Sequence, residues 1–157
     1  MLKQMLLVAC LCATPSLMAA DSGPSAIDTV LNDWHQAAAA ADESRYFGHF
    51  APEAIFLGTD ATERWDVTQF SAFAKPYFDR KKTWDFTPKQ RHVSFSADGT
   101  TAWFDELLDT KNLGLCRGSG VLVKQDGQWK IAQYNLSIPI PNELANEVVA
   151  KIAHPGK

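Results

Sequence analysis

The chain has 157 residues and a formal net charge of −3, from 15 basic and 18 acidic side chains. That length suits one domain with its own core. The one basic cluster is Arg80-Lys81-Lys82, too little for the electrostatic footprint that a nucleic-acid partner needs.

Residues 1–20 read as a secretory signal peptide. Lys3 is the one charge, an apolar run spans 5–13, and Ala19-Ala20 offers small residues for cleavage. The expected destination is the periplasm or the medium, with a mature domain over 21–157 and no membrane contact after cleavage, since the apolar run is too short to span a bilayer. Leu7-Val8-Ala9-Cys10 also looks like a lipoprotein box; the apolar run ahead of Cys10 is short for that, so lipid anchoring ranks below plain export. Cys10 and Cys12 leave with the signal, Cys116 stands alone, and no intramolecular disulfide is expected.

A helix is predicted over 26–41, where Ile27, Val30, Leu31, Trp34 and Ala38 make one apolar face. Asp42 can cap a short helix over 43–50, which Pro52 ends. Residues 54–57 read as a strand, and Gly58-Thr59-Asp60 as a turn. Asp66 and Gln69 form a capping box for a third helix, which Pro76 should end or kink. Residues 84–96 read as a strand interrupted near Pro88, with Arg91, Val93 and Phe95 on one face. Asp98-Gly99 is a turn.

The stretch 100–138 dominates the chain: strands over 100–110, 115–125 and 129–138, with the hairpin signal Asp126-Gly127 between the last two. Strands this long twist and curl around whatever covers one face. Asn142 can cap a tail helix with Leu144, Val148 and Ile152 in a stripe. Helices on one face of a mostly antiparallel sheet give an α+β fold.

Several stretches then carry a resemblance: Trp34 to Asp42, Phe50-Ala51-Pro52-Glu53-Ala54-Ile55-Phe56, Ala97-Asp98-Gly99 before Ala102-Trp103-Phe104, and Gly127-Gln128-Trp129-Lys130-Ile131 running to Asn135-Leu136-Ser137-Ile138-Pro139. The chain resembles the SnoaL-like branch of the nuclear transport factor 2-like superfamily, which includes ketosteroid isomerase. The resemblance implies a cone-shaped α+β barrel, wrapped around the N-terminal helices, open at one end and often dimeric through the outer sheet face. Such pockets host isomerases, cyclases, dehydratases and plain binding modules, so the fold leaves the function open. Ketosteroid isomerases place a base carboxylate just after the first strand. Here that position falls on Gly58, with Asp60 two residues on as a substitute. The position of their oxyanion-binding Tyr falls near Trp34, so steroid-type isomerisation is not expected.

Alternation puts Trp103, Asp105, Leu107 and Asp109 on one face of a strand and Ala102, Phe104, Glu106 and Leu108 on the other. Either Asp105 or Glu106 should face the pocket, where desolvation would raise its pKa for acid–base work. Arg117, between Cys116 and Gly118, could bind a ligand carboxylate or pair with one of these acids. The glycines Gly118 and Gly120 suggest a bulge or a close approach. Gln133 and Asn135 should share a face with Ile131, offering amides that bind but transfer no proton near neutral pH. Of the histidines, His35, beside Trp34, is best placed for a site. Asp60, Glu63, Arg64 and Trp65 cluster at the expected mouth as a charged rim.

The leading expectation is a homodimeric domain binding a small organic molecule through Trp34, His35, Asp60, Trp65, Arg117, Gln133 and Asn135. One alternative is an isomerase, lyase or hydrolase using Asp105 or Glu106. Another is a homodimeric protein-interaction module. No cofactor or metal is expected.

Overall fold

The computed structural model describes residues 23–154; the signal-type segment read from the sequence lies outside them. Helix α1 (Pro24–Ala39) opens on a proline, whose missing N–H is harmless in a first turn. Its Ile27, Leu31, Trp34 and Ala38 are all buried, as their spacing predicts. Asp42 caps α2 (Glu43–Gly48), its side chain accepting from the Arg45 N–H.

The second helix stops earlier than expected because Phe50 already opens β1 (Phe50–Leu57). Pro52 therefore lies inside a strand. It sits where the β1 pairing is irregular, between Phe50 and Ile55, so its missing N–H breaks no regular ladder. Strand β2 (Arg64–Asp66) is short and polar, with no pattern to mark it. The expected capping box of Asp66 and Gln69 starts α3 (Val67–Asp79). Pro76 does not end this helix. Burial of Phe78 two residues later recovers about 2 kcal/mol, against about 3 for an interior proline.

Strands β3 (Thr87–Phe95), β4 (Thr101–Thr110), β5 (Gly114–Gln125) and β6 (Gln128–Ser137) follow within a few residues of the expected bounds. The six strands lie in the order β2-β1-β6-β5-β4-β3. Every pairing is antiparallel except β1 with β6, which is parallel. The sheet curves over α1, α2 and α3 but does not close, leaving β2 and β3 as edges. One core joins Leu31, Trp34, Phe70 and Phe78 from the helices to Ala102, Phe104, Leu122 and Ile131 from the sheet. After Ser137 a 3₁₀ turn (Asn142–Leu144) leads into α4 (Ala145–Ala153). No residue of α4 is buried, and Ile152 is 72% exposed.

One irregularity controls the site. Val121 pairs with Gln133 and Leu122 with Ile131, so Ala132 is an extra residue in β6. The bulge inverts the strand's parity. Trp129 and Ile131 point inward before it, and Tyr134 points inward after it. Gln133 is exposed instead of sharing a face with Ile131.

Candidate active site

Glu106 on β4 lies at the centre, only 1% exposed. The β3–β4 register sets Arg91 directly beside it, and Arg91 donates to Oε2 from Nε at 2.9 Å and from Nη2 at 2.6 Å. The hydroxyl of Tyr134 donates to Oε1 at 3.0 Å, and His35 Nε2 lies 2.9 Å from the same oxygen. Arg91 is anchored in turn by Asp28 at 2.8 Å and Asn32 at 3.1 Å on α1. The glycine opposite Glu106 makes room for this cluster. A Cβ on Gly118 would stand 2.8 Å from Tyr134 Cζ and 2.9 Å from Glu106 Oε1, and closer still to the hydroxyl.

The electrostatics follow from the partners. Burial pushes the Glu106 carboxyl up, but the His35 hydrogen bond and the Arg91 charge outweigh it and hold the group below its ordinary 4.5. The expectation of a pocket acid with a raised pKa is thus overturned. Four donors fill both oxygens, so Glu106 is an ionised acceptor rather than a free acid. The Tyr134 hydroxyl is pushed well above its ordinary value by burial and by the neighbouring Glu106 charge. Because a carboxylate can only accept, the neutral form of His35 carries its proton on Nε2 and leaves Nδ1 as the bare nitrogen. Among the described residues nothing bonds that Nδ1.

His35 also lines a cavity of about 200 Å³. Its walls are aromatic: Trp34, Tyr46, Phe56, Trp65, Phe70, Phe73, Trp84, Phe86 and Tyr134. Many of these rings are near-parallel, Phe56 on Phe70 at 4.0 Å and Trp65 on Phe73 at 4.7 Å among them. Gly58, Thr59, Glu63, Leu113 and Leu136 complete the lining. Trp34 Nε1 and Tyr46 Oη are buried in this wall without a well-formed hydrogen bond. On the other side of His35 and Phe86 lies an open cleft of about 460 Å³, with Asn32, Gln36, Gln90 and Arg91.

The family profile described as a SnoaL-like domain matches residues 27–141. The chain belongs to the SnoaL-like family. Among solved structures, a nuclear transport factor 2-like protein of unknown function from Pseudomonas putida is 16% identical, with a TM-score of 0.64 over 76% of this chain and 88% of that one. A cystatin-like domain of unknown function from Nostoc punctiforme is 15% identical, with a TM-score of 0.65 over 88% of this chain and 90% of that one. A protein from Novosphingobium aromaticivorans proposed as a scytalone dehydratase is 13% identical, with a TM-score of 0.60 over 74% and 83% of the two chains. At these identities the likeness establishes the fold alone. No curated protein matches the sequence.

The SnoaL-like fold brings together only some of the residues expected from sequence. Trp34, His35 and Trp65 line the cavity, and Glu106 lies directly behind it. Asp105 does not face inward. It is exposed on the outer sheet face beside His92, at 3.2 Å, because its neighbour Glu106 holds the inner position. Arg117 is exposed as well, alternating with the buried Cys116, and it pairs with neither acid. Gln133 and Asn135 stay out of the cavity because the Ala132 bulge gives their inward places to Tyr134 and Leu136. Asp60 is outside the lining too. It caps its own turn, accepting from the Thr62 N–H at 2.8 Å and the Thr62 hydroxyl at 2.6 Å.

Two members of the site went unrecognised in the sequence. Arg91 shares an inward face with Val93 and Phe95, and a cation on such a face needs a carboxylate opposite; that was the available signal. Tyr134 follows Ile131 by three residues, an odd step that breaks alternation and marks the bulge.

Proposed function

We propose that the SnoaL-like domain binds a small, largely apolar organic molecule in the aromatic cavity, and that His35 exchanges a proton with it. The observation that carries this is the His35 Nε2–Glu106 contact of 2.9 Å, on a ring that also lines the cavity. Glu106 fixes the tautomer, directs the bare Nδ1 away from itself, and stabilises the imidazolium that forms when Nδ1 takes a proton. Arg91 and Tyr134 keep that carboxylate ionised and in place. Such a site suits isomerisation or elimination by proton transfer. The structural neighbour proposed as a dehydratase supports this class of reaction.

The test starts from native mass spectrometry of protein purified from its own host, to identify a retained molecule. That molecule is then incubated with the protein in deuterated water. Wild-type protein should convert it or exchange its hydrogen for deuterium, and His35→Gln should bind it without exchange. Equal exchange by His35→Gln would remove His35 as the proton carrier.

Two further readings belong here. Export is supported by the signal-type residues 1–20, and a mature N-terminus at Asp21 in the periplasmic or secreted fraction is the expected finding. A homodimer through the outer sheet face is supported by Trp103 and Leu115, which stand 48% and 53% exposed there.

A further inference from the structure

We infer that the molecule held in this cavity is an amine, protonated at neutral pH, whose ring enters the aromatic chamber and whose ammonium is held at the mouth by the Glu63 carboxylate. The inference rests on the reading of the cavity as a ligand site.

It begins with charge. No Lys or Arg lines the cavity, and Glu63 is the one carboxylate that does. Among the described residues, no Lys, Arg or His pairs with Glu63. The other nearby acid, Glu106, is already answered by Arg91, which lines the outer cleft and not this chamber. An anionic ligand would thus meet an uncompensated negative charge at the entrance. A neutral one would gain nothing from it. An ammonium would gain a charge-assisted hydrogen bond, with aromatic rings nearby for cation–π contact.

The position of Glu63 is built, not incidental. Its Oε2 accepts the Asp60 N–H at 3.1 Å, its carbonyl accepts the Gly58 N–H at 2.9 Å, and its own N–H donates to the Asp60 carbonyl at 3.0 Å. These contacts hold the carboxylate by backbone groups and leave Oε1 free of protein partners among the described residues. Gly58 supplies the space. A Cβ there would stand 2.9 Å from both Cβ and Cδ of Glu63, and closer still to Oε2. The carboxylate of residue 63 therefore occupies the volume that a side chain at the end of β1 would fill.

Size limits the rest of the ligand. A chamber of about 200 Å³ takes one ring or two fused rings, given that a cavity of about 150 Å³ accommodates benzene. The class is thus a one- or two-ring arylalkylamine.

Three probes of one shape and different charge test this at neutral pH: 2-phenylethylamine, 2-phenylethanol and phenylacetate. Trp34, Trp65 and Trp84 in the walls make intrinsic fluorescence the readout. The amine should bind about tenfold tighter than the alcohol, as expected for one charge-assisted contact, and phenylacetate should bind most weakly. Glu63→Gln should bring amine and alcohol close together without weakening the alcohol. Gly58→Ala, which displaces the carboxylate, should do the same by a different route. If the alcohol or the acid binds as well as the amine, or the preference survives Glu63→Gln, the inference is overturned and the cavity remains a ligand site. If none of the three binds, the reading of the cavity as a ligand site falls and takes the inference with it.

Discussion

Glu106 shows what a buried charge costs and what it can hold in place. Its desolvation is unfavourable, and only a full set of donors makes it tolerable. Here Arg91, Tyr134 and His35 provide that set. Glu106→Gln leaves the Arg91 charge without its buried partner and should cost about 3 kcal/mol of stability in urea unfolding. The acid response follows from the same cluster. The carboxyl is held below its ordinary 4.5 when folded, so its contribution is complete above that value and is lost as pH falls through the lower folded pKa. Asp33, held at about 2 by its Arg45 and His49 partners, adds a smaller, solvent-screened loss further down. Unfolding midpoints measured from about pH 5 to about pH 3 should therefore fall steeply in wild-type protein and more gently in Glu106→Gln.

At the scale of elements, period and parity explain both what the sequence revealed and what it concealed. Ala102, Phe104 and Leu108 alternate with polar residues along β4, and all three are buried, which places Glu106 inside and Asp105 outside. Alternation alone left that choice open, since each face carries both acids and apolar residues. The helices were legible because their apolar spacing and their caps agreed, as at Asp66 and Gln69. The inward residues of β6 were not, because a single inserted residue leaves local composition unchanged while exchanging the two faces beyond it. Helix α4 carries the expected apolar stripe, yet none of its residues is buried. Deleting residues 142–157 should thus change the unfolding free energy by no more than about 0.5 kcal/mol. A larger loss would show that the helix docks.

For the molecule as a whole, the outer sheet face is the natural place for a second copy. If the proposed dimer forms there, wild-type protein should sediment as a dimer and Trp103→Glu as a monomer, with thermal stability and cavity binding intact. A sedimentation profile unchanged by this substitution would point to a different interface. The parallel pairing of β1 with β6 joins Phe50 to Ile131 and Leu57 to Asn135 across about half of the chain's length. That pairing makes assembly order a property of the fold. Before β6 has left the ribosome, β1 and β2 have no sheet to join, and Tyr134 is not there to close the wall behind His35. Any nascent or truncated chain ending ahead of β6 carries its aromatic residues unenclosed. Closure of the sheet over the helices thus awaits the last strand, and such long-range pairing makes folding slow. Under the export proposed from residues 1–20, that delay would be an advantage, because it lengthens the time in which the chain stays open enough to be threaded across a membrane.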